Sequence, residues 1–489
     1  MISVDDTQMN RSELVFVPTP AVGHLVSTIE FSKRLLDCCD KFSVTILVME
    51  SAFESSTPLI SNPSTTQSLA ASHARIKIVD LPSVNRPVEI LQQSVEKYLT
   101  VFIENYKCHV RDAIANHVLP NSSVSGLVVD MFCTSMIDVA YELKVPSYLF
   151  FTSGAGFLGL LLHLPGRYDR LGMVFKPSDP ESVVPSYANP VPAYVLPSFA
   201  YKDTGYSCFV NCARRFKETK GIIVNTFFEL ESHAVSSLLD CETEIPPVYT
   251  VGPLIGEHHV KPSDRAKFGK IMTWLDDQPP KSVVFLCFGS FGSFDEAQLR
   301  EIAVGLEKSG KKFLWSVRKG PPKGQLAMPG DYSNHEKFLP QGFLERTKDV
   351  GILCGWAPQV EVLAHRATGG FVSHCGWNSI SESLWHGVPI VTWPLYAEQQ
   401  INAFQMVKDL GLAVELRLDY RTDDGNHFVV ADEIEKAVRC VIDGDGAVRK
   451  RVEEMSEVCR KAVGDGGSSS TSFQHLIEVM LACLDNKEE

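Results

Sequence analysis

Short apolar runs rich in β-branched and aromatic residues alternate with longer helical patterns along almost the whole chain. This alternation is typical of βαβ units, in which helices cover both faces of a parallel sheet, so an α/β fold is predicted. The predicted strands are residues 13–18, 42–49, 75–79, 126–131, 147–151, 221–225, 248–251, 282–288, 313–317, 351–354, 369–373 and 389–393. The predicted helical segments between them include residues 88–118, 295–308 and 399–410.

The chain has 489 residues, and single hydrophobic cores stop growing at about 250 to 300 residues. The strand pattern stops at residue 251, and residues 252–266 mix Gly, Pro, His and charge without periodicity. We therefore expect a domain over residues 1–251, a linker over 252–266 and a domain over 267–489, as two Rossmann-like domains facing across a cleft. The last helix, about residues 467–484, is expected to pack on the N-terminal domain.

Composition excludes several classes of protein. Hydrophobic residues make up 44% and charged residues 21% of the chain, as in soluble globular proteins. The net charge is −13 and the basic residues are scattered, so no nucleic-acid partner is expected. The polar, acidic residues 1–13 do not resemble a secretory signal, which predicts a cytoplasmic protein. The most apolar stretch, residues 149–164, is too short for a membrane span and is predicted to be a strand followed by a helix.

Cysteines do not suggest a disulfide framework. There are 13 of them, an odd number, and they form no C-x-x-C pairs. We expect reduced thiols.

A strand, a tight turn and a helix are predicted around His374-Cys375-Gly376. Unpaired backbone N–H groups at a helix start attract anions, and Gly376 is expected to let the backbone approach a phosphate closely. Asn378, Ser379 and Glu382 share one face of this helix and could reach one ligand together. Ser379 and Glu382 also fit a capping box that binds no ligand, and the spacing leaves both interpretations open.

The longer segment from Trp356 to Gln399 is more specific. It contains Trp356-Ala357-Pro358-Gln359, His374-Cys375-Gly376-Trp377-Asn378-Ser379, Glu382, Gly387-Val388-Pro389 and Glu398-Gln399. Together these resemble the 44-residue signature of plant secondary-metabolite UDP-glycosyltransferases. The resemblance extends over essentially the whole chain and is closest to the branch that glucosylates flavonoids, other phenolics and triterpenoids. It implies a GT-B-like fold.

The resemblance also implies a role for each donor-site residue. Trp356 would stack on uracil, the Ala357 backbone would contact the uracil edge, Gln359 and Glu382 would hold ribose, and Ser290, His374, Asn378 and Ser379 would hold the diphosphate. Trp377, Glu398 and Gln399 would line the sugar. In the family, Gln at the position of Gln399 accompanies glucose, so UDP-glucose is the expected donor.

His24 follows the first predicted strand, just before a helix expected to begin near Leu25. The positive potential of a helix start is expected to keep its imidazole neutral and able to accept a proton. By position alone, a structural role for His24 stays open. The resemblance implies that His24 is the general base and that Asp130 orients it, with Thr152 as a further candidate for a sugar contact.

The implied reaction is an inverting O-glucosyl transfer from UDP-glucose, a co-substrate, to a flavonoid or related phenolic hydroxyl. A triterpenoid acceptor is an alternative, and a noncatalytic nucleotide-sugar binding protein is an alternative of another class. No cofactor or metal is expected, and the string Asp443-Gly444-Asp445 is interpreted as a turn. A cysteine hydrolase built on His374-Cys375 is disfavoured because adjacent residues in one turn cannot easily face each other. We expect a monomer.

Overall fold

The computed structural model describes residues 11–53, 73–91, 93–240, 245–256, 262–322, 327–423, 428–444 and 446–485. The strands are β1 (Ser12–Val17), β2 (Phe42–Val48), β3 (Ile76–Asp80), β4 (Val124–Asp130), β5 (Ser147–Phe151), β6 (Ile222–Val224), β7 (Val248–Thr250), β8 (Val283–Cys287), β9 (Lys312–Ser316), β10 (Arg318–Lys319), β11 (Gly330–Asp331), β12 (Gly351–Cys354), β13 (Thr368–Ser373), β14 (Ile390–Thr392) and β15 (Ala413–Glu415).

The α-helices are α1 (Val22–Cys38), α2 (Val88–Leu91), α3 (Val95–Glu104), α4 (Lys107–Ala113), α5 (Ile137–Glu142), α6 (Ala155–Leu171), α7 (Asp203–Phe216), α8 (Ser232–Leu239), α9 (Pro262–Asp276), α10 (Glu296–Ser309), α11 (Phe343–Thr347), α12 (Gln359–Ala364), α13 (Trp377–Trp385), α14 (Gln399–Phe404), α15 (Ala431–Asp443), α16 (Ala447–Val463) and α17 (Ser468–Asp485). Segments Ile114–Val118 and Gln405–Asp409 are π-helical.

Two parallel sheets form the framework, one in each half of the chain. The strand order is β3-β2-β1-β4-β5-β6-β7 in the first sheet and β12-β9-β8-β13-β14-β15 in the second. Neighbouring strands within both sheets are parallel. The predicted α/β class with two Rossmann-like sheets is confirmed.

Each sheet has one point at which the strand order reverses. This point lies between β1 and β4 in the first sheet and between β8 and β13 in the second. Loops that leave the two strands at such a point diverge and open a crevice beyond the carboxyl ends of the strands, where ligands bind in folds of this type. His24, Asp130, Ser290 and His374 lie at or just after the ends of these four strands.

The structure differs from the predicted elements in several places. Residues 88–118 form α2, α3, α4 and a π-helical end instead of one continuous helix. Ser94 starts a new helix, because its side chain accepts a hydrogen bond from the backbone N–H of Lys97. Strand β15 was not predicted. Helix α9 begins inside the expected linker, of which residues 257–261 lie outside the described part, and the domain boundaries stay a prediction.

Helix α17 packs on the first sheet, although it follows the whole second sheet in the chain. Phe473, Leu476 and Met480 are buried in one cluster with Leu14 and Phe31. The ring centroids of Phe473 and Phe31 are 5.4 Å apart. The last helix therefore joins the two halves by apolar packing, in a cluster that also contains Leu254 of the expected linker.

A buried carboxylate joins the halves near the cleft. Glu231 is 2% exposed. Its oxygens accept hydrogen bonds from the backbone N–H groups of Ala155 and Gly156, both at 2.8 Å, and from the Gln405 side-chain amide at 2.9 Å. The first two donors are N–H groups at the start of α6 that have no partner within the helix. The Glu231 carboxylate accepts their hydrogen bonds and interacts favourably with the positive end of the helix dipole.

A second set of contacts holds a loop of the first half against the second half. The Asp409 carboxylate accepts from the Asn189 side-chain amide at 2.8 Å and from the backbone N–H groups of Ala188 and Asn189, each at 3.2 Å. Arg421 donates to the carbonyl oxygens of Tyr194 and Leu196. The two halves are therefore joined by polar contacts as well as by the apolar packing of α17.

Helices in the described part of the chain do not include one that is long and apolar enough to cross a membrane. The most apolar stretch of the sequence divides into β5 and the start of α6, as predicted. Its side chains are buried among those of the first sheet.

Replacing Glu231 by alanine is expected to lower the free energy of unfolding by about 3 kcal/mol, because several buried donors lose a charged acceptor. Urea titration followed by circular dichroism measures this loss. Glu181→Ala removes an exposed carboxylate and is the matched control, expected to change stability by less than about 0.5 kcal/mol. Equal stabilities for the two variants would show that the Glu231 contacts do not hold the halves together.

Candidate functional site

The turn between β13 and α13 contains a non-glycine residue in the left-handed conformation. Cys375 takes the left-handed conformation, with a φ of +62°, whereas Gly376 has a φ of −64° and is the N-cap of α13. Gly376 is needed for another reason, since a Cβ there would lie 2.6 Å from Nε2 of His374. The glycine therefore makes room for the imidazole of His374.

His374 is held between two loops of the second sheet. A Cβ at Gly289, which follows β8, would lie 2.5 Å from the His374 Nε2, so the ring packs directly on this backbone. Burial lowers the pKa of His374 to about 4, which keeps the imidazole neutral. Its Nδ1 is buried without a hydrogen-bond partner among the described residues. Ser290, next to Gly289, is half-buried in the same turn.

The capping-box interpretation of Ser379 and Glu382 is wrong. Helix α13 begins at Trp377, so both residues lie inside the helix and neither is its N-cap. The side-chain amide of Gln359 donates to Ser379 Oγ at 2.8 Å and to Glu382 Oε2 at 2.7 Å. These three side chains form one hydrogen-bonded group at the start of α12 and α13, and Trp356 and Ala357 precede it.

Glu398 and Gln399 lie at the start of α14, after β14. Gln399 is 3% exposed, and its Oε1 accepts from the backbone N–H groups of Leu395 and Tyr396 at 2.9 and 3.0 Å. With its oxygen used in this way, the amide can offer only N–H donors to a ligand. Burial raises the pKa of the Glu398 carboxyl above its ordinary value.

Trp377 connects the two halves. Its indole N–H donates to the carbonyl oxygen of Asn225 at 2.6 Å, and the residue is 3% exposed. A Cβ at Gly154 would lie 2.6 Å from the Trp377 ring, so the indole packs on the loop after β5. Asn225 and Gly154 both follow strands of the first sheet at its carboxyl edge.

His24 and Asp130 meet at the switch point of the first sheet. The His24 Nδ1 lies 2.8 Å from Asp130 Oδ2, with the His24 side chain 25% exposed and that of Asp130 only 1% exposed. Thr19 donates to the other carboxylate oxygen at 2.6 Å. Thr152 Oγ1 lies 3.1 Å from the same His24 nitrogen. Because Asp130 engages Nδ1, the proton there leaves Nε2 as the proton acceptor.

The pKa of His24 is shifted in the direction opposite to the one expected. Helix α1 begins at Val22, so His24 lies in its first turn and not before it. Burial lowers the pKa of His24, but the charge and hydrogen bond of Asp130 and the charge of Glu398 together raise it above its ordinary value of 6.5. The carboxylates therefore outweigh the desolvation of the imidazole.

Helix α13, which carries Asn378, and helix α1, which carries His24, touch across the cleft. The side-chain amide of Asn378 donates to the Gly23 carbonyl oxygen at 3.4 Å and to Ser27 Oγ at 3.2 Å. Gly23 is adjacent to His24 in α1. The predicted diphosphate contact and the predicted base thus lie on contacting helices.

Cys375 is not suited to nucleophilic chemistry. It is fully buried, and burial raises the pKa of its thiol to about 12, so the thiol stays protonated. The described residues contain no group of three or more His, Cys, Asp or Glu side chains arranged to hold a metal ion. Asp443 accepts from Lys311 Nζ at 2.6 Å, and Asp445 lies outside the described residues.

Two residues of the site were not predicted. Thr19 orients Asp130, and Asn225 accepts the Trp377 indole N–H. Both residues follow strands of the first sheet at its carboxyl edge, and this position in the sequence could have indicated a place in the site. That signal does not say which polar residue at a strand end faces the cleft.

Comparison with known proteins identifies the family. A family model described as UDP-glucoronosyl and UDP-glucosyl transferase matches residues 227–459. The chain is 52% identical to UDP-glycosyltransferase 71K1 of Malus domestica over 482 residues, which cover 96% of this chain and 99% of that protein. It is 51% identical to the putative UDP-glucose flavonoid 3-O-glucosyltransferase 3 of Fragaria ananassa, with the same coverage.

Among solved structures, Medicago truncatula UGT71G1 complexed with UDP-glucose superposes with a TM-score of 0.88 at 46% identity, covering 97% of this chain and 99% of that one. Phytolacca americana UGT2, complexed with UDP-2fluoro-glucose and pterostilbene, superposes with a TM-score of 0.82 at 33% identity, covering 96% and 99%. The chain therefore belongs to the plant family 1 UDP-glycosyltransferases, hexosyltransferases of GT-B fold for which a UDP-sugar is the co-substrate.

Proposed function

We propose that this chain is an inverting, UDP-glucose-dependent O-glucosyltransferase that acts on a hydroxyl of a flavonoid or related phenolic compound. The observation that carries the proposal is the 2.8 Å contact between His24 and the buried Asp130. Helix α1, which carries His24, also contacts Asn378 of the segment from Trp356 to Gln399. A noncatalytic nucleotide-sugar binding protein would not need this pair.

The reaction is a single displacement. His24 Nε2 takes the proton of the acceptor hydroxyl as the oxygen forms a bond to the anomeric carbon. The bond from that carbon to the UDP oxygen breaks, and its electron pair leaves with UDP. Asp130 holds the Nδ1–H tautomer and stabilises the imidazolium, as the carboxylate of a catalytic triad does. Attack from the face opposite UDP yields a β-glucoside.

The donor would lie along the segment from Trp356 to Gln399. Uracil would stack on Trp356 beside the Ala357 backbone, and Gln359 and Glu382 would bind ribose hydroxyls. His374, Asn378, Ser379 and Ser290 would donate to the diphosphate. A neutral imidazole and a helix N-terminus can offset the charge that develops on UDP as it leaves, because both are oriented in advance.

Glucose is favoured at the sugar end of this segment. Gln399 can offer only N–H donors, because its oxygen accepts from Leu395 and Tyr396. The Glu398 carboxylate next to it is an acceptor, so the pair supplies both partners that sugar hydroxyls require. UGT71G1, whose structure contains UDP-glucose, is one of the similar proteins. Thr152 contacts His24 Nδ1, which supports a role in orienting the base.

An aromatic acceptor is favoured by the side chains beside His24. The Phe132 ring centroid lies 6.4 Å from that of His24, and Phe132 contacts Phe209, which stacks on Phe199. Flat aromatic surfaces stack well on planar phenolic rings. Phenols are also more acidic than aliphatic alcohols, so a histidine base deprotonates them more readily. Two of the similar proteins bear flavonoid 3-O-glucosyltransferase names.

Replacing His24 by alanine is expected to lower kcat for UDP-glucose and a flavonol by about 10²- to 10⁴-fold, the usual contribution of a general base. UDP release and glucoside formation are measured by coupled assay and mass spectrometry, and UDP affinity by calorimetry. UDP affinity is expected to be unchanged. His117→Ala, at an exposed histidine, is the matched control and is expected to retain full activity.

Retained transfer in His24→Ala would overturn the mechanism. The same assay run with a triterpenoid alcohol tests the acceptor class. Transfer to the alcohol but not to the flavonol would contradict the phenolic assignment and leave the reaction mechanism intact.

The pH dependence tests the role of Asp130. Activity needs neutral His24, so kcat/KM is expected to fall as the pH falls through a raised His24 pKa. In Asp130→Asn the largest influences that raise this pKa are removed, so the acid limb is expected to move to lower pH. The plateau is expected to drop about 10²- to 10⁴-fold, because the productive tautomer is no longer held. Asp240→Asn, at an exposed position, serves as the control, and an unshifted limb in Asp130→Asn would contradict the assignment.

A further inference from the structure

Arg318 is a buried arginine in the strand that follows β9, and it is 5% exposed. Strand β10 pairs with β11 in a short antiparallel hairpin, in which Arg318 is opposite Asp331. Its Nε donates to the Gly330 carbonyl oxygen at 3.2 Å, and one terminal nitrogen donates to that of Pro329. The hairpin therefore fixes the guanidinium in one orientation.

The guanidinium lies over the ring of Trp356. Its central carbon is 5.2 Å from the ring centroid, within the range of cation–π attraction. Trp356 is half-buried. The second terminal nitrogen, Nη1, is buried without a hydrogen-bond partner among the described residues. A buried cation with an unsatisfied N–H group needs another source of compensation, and the electron-rich ring face supplies it.

The counter-ion of Arg318 also packs beside Trp356. Asp331 Oδ1 lies 3.4 Å from the Arg318 Nε. A Cβ at Gly355 would lie 2.3 Å from the same Asp331 oxygen, so the carboxylate packs on the backbone just before Trp356. The ion pair therefore contacts the dipeptide Gly355-Trp356 twice. Asp331 packs on the Gly355 backbone, and Arg318 lies over the Trp356 ring.

We propose that Arg318 is a positioning residue for the uracil of the donor. By stacking on one face of Trp356, it holds the indole in the orientation that presents the opposite face to the base. This inference rests on the proposed stacking of uracil on Trp356. It gives Arg318 a role in recognition of the nucleoside that is separate from charge attraction to the diphosphate.

The test compares UDP with inorganic pyrophosphate, a ligand without a base. Calorimetry on the full chain is expected to show that Arg318→Met weakens UDP binding roughly 3- to 30-fold, the range of a desolvated cation–π contact, while pyrophosphate binding stays unchanged. In a double-mutant cycle, Trp356→Leu combined with Arg318→Met is expected to bind UDP no more weakly than Trp356→Leu alone, because Arg318 acts through the indole.

Arg167→Met is the matched control. Arg167 is also buried and lies over an aromatic ring, with its central carbon 3.5 Å from the Phe175 centroid, but it belongs to the first half of the chain. The Arg167→Met variant is expected to be less stable than the wild-type protein and to bind UDP with wild-type affinity. If Arg318→Met does not fold, Arg318→Lys gives the same comparison, with a smaller loss of UDP affinity and unchanged pyrophosphate binding.

The outcomes separate the inference from the proposed donor site. Equal losses for UDP and pyrophosphate would show that Arg318 acts by charge or by general stability, and would overturn its positioning role. Additive losses in the double mutant would overturn it as well. If Trp356→Leu itself leaves UDP binding intact, the donor site is wrongly assigned. If Trp356→Leu weakens UDP binding and Arg318→Met does not, only the positioning role of Arg318 is wrong.

Discussion

The hydrogen bond from the Trp377 indole to the Asn225 carbonyl oxygen is the contact on which the geometry of the cleft depends. Trp377 begins the helix that carries several of the predicted donor-site residues, and Asn225 follows a strand of the opposite sheet. The indole is also packed on Gly154, so it can neither rotate nor withdraw without opening a cavity. Because the two sheets are held together at their carboxyl edges, His24 and Asn378 are brought onto contacting helices.

Three carboxylates, of which Asp130 and Glu231 are buried and Glu398 is half-buried, have different environments. Glu231 accepts hydrogen bonds from a helix start and from Gln405, which makes it a structural group. Asp130 is shared between Thr19 and His24, so its charge is used to raise the His24 pKa. Glu398 has its own pKa raised by burial. The environment of each group, more than its type, determines whether it holds the fold or takes part in the proposed chemistry.

The sequence was sufficient for most strands of the two sheets but not for β15, for the division of residues 88–118 or for the details of the turns. The bounds of β5 and β12 agree with the predicted ones, because apolar β-rich runs end abruptly at polar or glycine residues. The left-handed conformation of Cys375 and the packing of the His374 ring against Gly376 were not predicted. The raised His24 pKa depends on the distances to the carboxylates of Asp130 and Glu398. The position of Arg318 over the Trp356 ring depends on the hairpin that pairs β10 with β11. Neither is contained in local periodicity.

In the proposed mechanism, His24 activates an acceptor on the face of the sugar opposite UDP. The most direct test is the configuration of the product formed from UDP-α-D-glucose, read from the coupling of its anomeric proton by NMR. A single displacement with His24 as the base predicts the β-glucoside alone, with the large coupling of a diaxial proton pair. An α-glucoside would require attack from the same face as UDP or two successive displacements, and would contradict this mechanism.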